Sequence, residues 1–320
     1  MPTPDDVTVA DIRAARERLA GIAVRTPLVR LEVPGLDADV WLKLENLQPI
    51  GSFKLRGAAN AMLIAGERGL ADGVYTASAG NMAQGVAWSA RQFGVPCRVV
   101  VPDHAPQTKL DAIARLGGEV VKVPFDRWWQ TLVDHAYPGM AGLFVHPVSD
   151  PAVIAGNGTI GLEIVDDLPD VDSVLVPFGG GGLSSGIATA VRAARPEVKV
   201  FGCEVETAAP LSAAFAAGSP QPVEYTRSFV DGIGARGVLA EMWPLAQRLL
   251  DGAMVTSVEQ IAAAVRFLAE RARVVAEGAG AASVAAAMAH RVTGRVVCVV
   301  SGGNIDATKL ATILEGRVPV

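Results

Sequence analysis

The chain has 320 residues, 50% of them hydrophobic, which is enough for one large core or two moderate ones and excludes a small stapled scaffold. Its 28 Lys and Arg against 33 Asp and Glu leave a net charge of −5, and no basic stripe interleaves with aromatics, so a nucleic-acid or anionic-membrane partner is not expected. Cys97, Cys203 and Cys298 stand far apart with no CxxC spacing, which signals neither a disulfide framework nor a zinc knuckle and fits a reducing cytoplasm.

The N-terminal "MPTPDDVTVADIRAARERL" is acidic and then amphipathic, without the apolar centre of a signal peptide. Nowhere do about 18 uninterrupted apolar residues occur, so no membrane span is expected. "VWLKL" (40–44) is the first strand candidate. It is followed by "GSFKLRGAAN" (51–60), which sets Lys54 two residues into a helix, next to Phe53 and with glycines on both sides. A lysine at a helix start is mildly disfavoured by the dipole and ordinarily snorkels to water. Desolvation beside an aromatic would instead lower its pKa and make it a nucleophilic amine, able to form a Schiff base with an aldehyde.

The strand "GVYTAS" (73–78) runs through a turn into the helical "GNMAQGVAWSARQFG". Ser78, Gly80 and Asn81 place a hydroxyl, an open backbone and an amide at a positive helix end, which suits a carboxylate or, more plainly, an ordinary N-cap. "CRVVV" (97–101), the helical "KLDAIARLGG" and "EVVKV" (119–123) continue the alternation. A looser region around 124–160 breaks it, and a crossing between two lobes is expected there. After the helical "GTIGLEIVDDL" comes "SVLVPF" (173–178), then the turn "FGGGGLSSG" and the helix "SSGIATAVRAARP". Gly179, Gly180, Gly181 and Gly182 remove every Cβ from that turn, so N–H groups can converge on a phosphate at the helix start.

A rival pattern uses the same turn. Gly180, Gly182 and Gly186 read as GxGxxxG, and Glu204 follows the strand "VKVFGC" (198–203) about 20 residues on, where a dinucleotide-binding unit keeps its ribose-binding acid. The last elements are the helical "VEQIAAAVRFLAERAR" and the strand "RVVCVVS" (295–301), which delivers Ser301 to the turn "SGGNID". Alternating strands and helices predict an open α/β fold with mostly parallel strands. An amine, a phosphate cradle, an anion-binding turn and a strand-end hydroxyl together match the needs of pyridoxal 5'-phosphate.

In order, "SFKLRGA", "SAGNMAQGVA", "HPVSDPAVIAGNGTIGLEI", "PFGGGGL", "EGAGA" and "SGGNID" resemble the threonine/serine dehydratases of the tryptophan-synthase-β group, the fold type II pyridoxal-phosphate enzymes, over residues 20–310. The resemblance implies two open, mostly parallel sheets flanked by helices. A small domain of residues 48–146 would close on substrate, against a large cofactor-binding domain of residues 1–47 and 147–320. It implies that Lys54 holds the cofactor through a Schiff base and moves the α-proton, with Phe53 against the ring. Gly179 to Gly182 and Leu183 would hold the phosphate, Asn81 the phenolic oxygen, and Ser301 would face the pyridine nitrogen. Ser78, Ala79, Gly80, Asn81 and Met82 would receive the substrate carboxylate. Asp231, Gly232 and Glu277 match positions lining the cofactor face.

The implied activity is β-elimination from a β-hydroxy-α-amino acid, by default L-threonine or L-serine, giving a 2-oxo acid and ammonia. A hydroxyl opposite the ring nitrogen makes a weaker electron sink than an aspartate and favours expulsion of a β-hydroxyl over transamination. Met82 stands where relatives carry His, which points to a bulkier or less polar substrate such as phenylserine, with 3-hydroxyaspartate also open. Ala79 replaces the second acid/base serine of family racemases, so racemisation is not expected. A regulatory cation would need Glu204, the Ala208 carbonyl and a carboxylate where Pro210 stands, so no metal is expected. With the sequence ending at Val320, a C-terminal regulatory domain is not expected. A homodimer is expected. The alternatives are a β-replacement synthase and a nicotinamide-dependent oxidoreductase.

Overall fold

The computed structural model describes residues 3–319. Ten strands form two sheets. They are β1 (Leu28–Leu31), β2 (Ala38–Leu44), β3 (Val74–Ala77), β4 (Cys97–Pro102), β5 (Gly118–Val123), β6 (Leu143–Phe144), β7 (Ser173–Pro177), β8 (Lys199–Val205), β9 (Gly252–Thr256) and β10 (Gly294–Val300). The six-stranded sheet has the order β1-β2-β10-β7-β8-β9 and the four-stranded sheet the order β5-β4-β3-β6. All neighbours run parallel except β1 against β2. This is the mostly parallel α/β architecture that the strand–helix alternation predicts.

The helices are α1 (Val9–Arg18), α2 (Lys54–Gly69), α3 (Asn81–Phe93), α4 (Gln107–Arg115), α5 (Phe125–Val133), α6 (Pro151–Asp167), α7 (Gly182–Ala194), α8 (Pro210–Ala217), α9 (Trp243–Leu249), α10 (Val258–Phe267), α11 (Gly278–Ala289) and α12 (Ala307–Leu314). Two apolar clusters lie against the larger sheet: one collects α6, α7 and α9, the other α10 and α11. A third, built from α2, α3 and α4, covers the smaller sheet, whose other face carries Ala77, Val100 and Val123 under α5. Parallel sheets need cover on both faces, which explains the near-continuous apolar runs of their strands. Among the described residues no helix is long and apolar enough to cross a membrane.

The expected strands stand close to their sequence positions, and three more were not anticipated: β1, β6 and β9. β6 is two residues long and β9 is half-buried, so neither carries the apolar run that marks the central strands. The loose region holds α5 and the first turns of α6, which starts at Pro151 rather than at 158. Asp150 caps α6 by accepting the Ala152 N–H, and proline at the first helical position is preorganised for a start there. At the other extreme, the run expected to stay helical to Arg273 leaves α-geometry at Phe267. It widens into a π turn over Leu268–Ala272 and stops at Arg273, whose φ is +60°.

Candidate active site

Three turns meet, two of them through backbone hydrogen bonds and the third through side-chain bonds of Asn81. The turn before α2 is zipped to the turn after β10: Phe53 N–H donates to the Ser301 carbonyl at 3.0 Å, Gly303 N–H to Gly51 O at 2.9 Å, and Ser52 bridges Gly302. Asn304 fastens the join, its Nδ2 donating to Ile50 O at 2.9 Å and to Asn81 Oδ1 at 2.8 Å. Asn81 Nδ2 in turn donates to Glu277 Oε1 at 2.7 Å. Lys54, Asn81, Glu277 and Ser301, from four separate stretches of chain, are thereby gathered. Close approach here depends on missing Cβ atoms, since one on Gly302 would stand 2.6 Å from Glu277 and one on Gly280 would stand 2.1 Å from Gly302 O.

Lys54 is the first residue of α2, and its Nζ donates to the Pro147 carbonyl at 2.7 Å and lies 5.2 Å from the centre of the Phe53 ring. Burial pushes its pKa from 10.5 down to about 8, because no carboxylate faces it to stabilise the ammonium form. Two residues on, Arg56 anchors the helix. It reaches Glu45 at 2.8 Å and Glu163 at 2.6 Å, while Lys43 meets Glu163 at 2.6 Å; all four side chains are buried. Burial opposes the charge on Arg56, yet the two glutamates raise its pKa; burial likewise opposes ionisation of Glu45, and Arg56 more than offsets it.

The glycine turn leads from β7 into α7, with Gly181 in the left-handed region at φ +96°. Val148 lies against it. A Cβ on Gly180 would come within 2.5 Å of the Val148 side chain and one on Gly182 within 2.5 Å of its carbonyl. Since Val148 follows Pro147, one short turn touches both the amine and the cradle. The N–H groups opening α7 point to the helix's positive end, and Leu183 is buried behind them. Ser52 Oγ, in the turn before α2, and Ser185 Oγ, in the first turn of α7, are buried with no hydrogen-bond partner among the described residues. Ser301 is 4% exposed just after β10.

At the start of α3, Ser78, Ala79, Gly80 and Asn81 are partly exposed, and Ser78 Oγ accepts the Gly80 N–H at 3.2 Å. Met82 differs. Its thioether is 1% exposed and belongs to the core under the smaller sheet, with Ala58, Met62 and Val86. It adds no apolar lining to the turn, so the expectation of a less polar substrate loses its ground.

Glu204 is also elsewhere. Its two oxygens accept the Leu211 N–H at 2.7 Å and the Ser212 N–H at 2.9 Å, and burial raises its pKa to about 7. It caps α8, which removes the ribose-binding acid from the dinucleotide pattern. Asp231 is an exposed partner of Lys109, at 2.8 Å, across the mouth of the site. Gly232 sits beside Ala279 and Glu277. Burial and then Asp231 raise the pKa of Glu277 to about 7.

Sequence reasoning assigned nothing to His146, although "HPVSDP" was in view. The ring is buried, and burial, then His135 and Lys54, lower its pKa to about 3. Two signals were present: His146 lies within the loose region 124–160 and opens the motif "HPVSDPAVIAGNGTIGLEI".

A fold of this kind, with a buried uncompensated amine opposite a glycine cradle, defines a pyridoxal-phosphate enzyme of fold type II. Residues 20–302 match the family described as pyridoxal-phosphate dependent enzymes, and the chain belongs to that family. It is 42% identical to an L-threonine ammonia-lyase from Thermotoga maritima, over 97% of this chain and 78% of that one. It is 36% identical to the catabolic L-threonine dehydratase of Escherichia coli, over 96% of each. Among solved structures it is similar to maize serine racemase, with a TM-score of 0.88 and 28% identity over 97% of both chains. The residues present fit the cofactor: the glycines leave a cradle that a Cβ at Gly180 or Gly182 would distort, and burial shifts the Lys54 amine toward the uncharged form that meets an aldehyde.

Proposed function

We propose that the chain is a lyase that deaminates a β-hydroxy-α-amino acid, L-threonine or L-serine, to a 2-oxo acid and ammonia. The relatives named above as threonine ammonia-lyase and threonine dehydratase support the substrate. The observation that carries the chemistry is the Lys54 amine, buried without a counter-charge and held down to about 8. Lys54 would bind the cofactor aldehyde, with Phe53 against the ring, Gly179, Gly180, Gly181, Gly182 and Leu183 at the phosphate, Asn81 at the phenolic oxygen and Ser301 at the ring nitrogen. When bound, the cofactor supplies a sink for the electrons of the Cα–H bond.

Once displaced by substrate, the Lys54 amine would accept the Cα proton; the Cβ hydroxyl would leave as water by taking up that one proton, and hydrolysis of the remaining enamine would consume one water to give the 2-oxo acid and ammonia. The N–H groups at Ser78 to Met82 would receive the carboxylate at the positive end of α3. Residues 48–146 would move as a small domain against the rest and exclude water. A homodimer in the cytoplasm fits the usual symmetry of such enzymes and the three free, buried cysteines.

The test is a spectrum of the purified protein with L-threonine, L-serine, phenylserine and 3-hydroxyaspartate added in turn, with 2-oxo acid release followed alongside. Threonine should perturb the cofactor band and yield its oxo acid fastest. A protein that stays colourless after addition of pyridoxal phosphate, or that turns over phenylserine in preference, would sink this assignment.

A further inference from the structure

His146 is a buried titratable group to which the proposed chemistry gives no task, yet it organises the turn that touches both halves of the site. Its Nδ1 accepts the Val148 N–H at 3.2 Å, the Ser149 N–H at 2.9 Å and lies 2.9 Å from Ser149 Oγ. An Nδ1 that accepts two backbone donors carries no proton, so the ring is neutral with its proton on Nε2. The opposite ring face stacks on His135, with centroids 4.3 Å apart and planes 9° from parallel. His135 Nε2 lies 3.4 Å from Glu241 Oε1, so the stack is braced by the chain that leads into α9. The turn so fixed presents the Pro147 carbonyl to Lys54 Nζ at 2.7 Å and seats Val148 on Gly180 and Gly182.

We propose that His146 is a positioning residue that, as a neutral acceptor, shapes the 146–149 turn and so docks the free Lys54 amine on the Pro147 carbonyl in register with the glycine cradle. It acts through the turn and touches neither substrate nor cofactor. A protonated ring would lose the acceptor that holds the turn and would set a second positive charge beside Lys54; the burial that keeps the ring neutral serves both ends. The inference rests on Lys54 being the cofactor-binding amine, but its test can be read without that chemistry.

The experiment compares two substitutions in the apoprotein. His146→Asn keeps a side-chain oxygen able to accept the N–H two residues on, as asparagine does in Asx turns. His146→Phe keeps ring volume and stacking while leaving the Val148 and Ser149 N–H groups to draw water toward the amine. The readout is the titration of Lys54, by competitive acetylation and mass spectrometry across pH, together with the affinity of the apoprotein for pyridoxal phosphate. Wild type should titrate near 8. The Asn variant should stay within about half a unit of that, and the Phe variant should move up by about one unit or more as the amine gains water, with cofactor affinity down about tenfold.

A folded Phe variant with an unmoved Lys54 midpoint overturns the proposal, since a merely structural histidine would lower stability and leave the amine alone. Should the Phe variant not fold, the Asn variant decides: an unmoved midpoint supports the positioning role, and a shift beyond one unit overturns it. Failure of Lys54 itself as the cofactor amine shows separately, as persistence of the cofactor band in Lys54→Ala.

Discussion

Burial holds the Lys54 amine at about 8 against 10.5 in water, and the sign of that shift makes it a load on the fold. Because the folded value lies below the unfolded one, the unfolded chain binds more protons between the two. The penalty is complete below about pH 8 and fades as pH rises through 10.5. Lys54→Met should therefore stabilise the apoprotein at pH 7, by roughly 1–3 kcal/mol, and by much less at pH 11, as read from urea unfolding. An unchanged midpoint at pH 7 would mean that the amine is solvated. Gly180→Ala tests the cradle at the same scale. Its Cβ would stand 2.5 Å from Val148, so the turn must shift, and cofactor affinity should fall at least about tenfold with little loss of helix content by circular dichroism.

Elements are held in place by buried charge as well as by apolar faces. Arg56 ties the first turn of α2 to Glu45 before it and to Glu163 on α6, and Lys43 on β2 shares Glu163. Arg56→Met would leave Glu45 without its main counter-charge inside the protein, so a destabilisation of about 3–5 kcal/mol is expected in chemical denaturation. A loss below about 1 kcal/mol would show that water already reaches the cluster. The same substitution should loosen Lys54, two residues away on the same helix, and weaken cofactor retention. Glu204 shows the other use of a buried carboxylate: by capping α8 it satisfies two backbone donors that no residue of that helix can reach.

Over the whole molecule, the two sheets are bridged at the mouth of the site by contacts from α4 and from the stretch after α5. Lys109 pairs with Asp231 at 2.8 Å, and His135 approaches Glu241 at 3.4 Å. Both pairs are partly exposed, where such contacts are worth no more than about 1 kcal/mol and weaken with salt. Lys109→Met should raise KM for the amino acid by up to about fivefold with the unfolding temperature nearly unchanged, and added salt should shrink the difference from wild type. Equal KM values at low salt would show that the pair does not bias closure over the substrate.

The strands, the helical rhythm and the positions of the three turns proposed to carry the chemistry could be read from the chain because each rests on local pattern: apolar runs for buried parallel strands, glycine runs between a strand and a helix, and a lysine at a helix start. Residues whose meaning depends on a distant partner could not be read that way. Met82 looked like a lining residue until packing put its thioether among Ala58, Met62 and Val86. Glu204 had the spacing of a ribose ligand until α8 folded back onto it. His146 opens the quoted motif "HPVSDPAVIAGNGTIGLEI" but received no task from it, because the role proposed for it depends on the N–H groups of its own turn and on an amine 92 positions earlier in the chain. Sequence determined which turns are shaped to hold an anion or an amine; tertiary structure alone decided which way the side chains between them face, since that follows from which buried polar groups find partners after the sheets have packed.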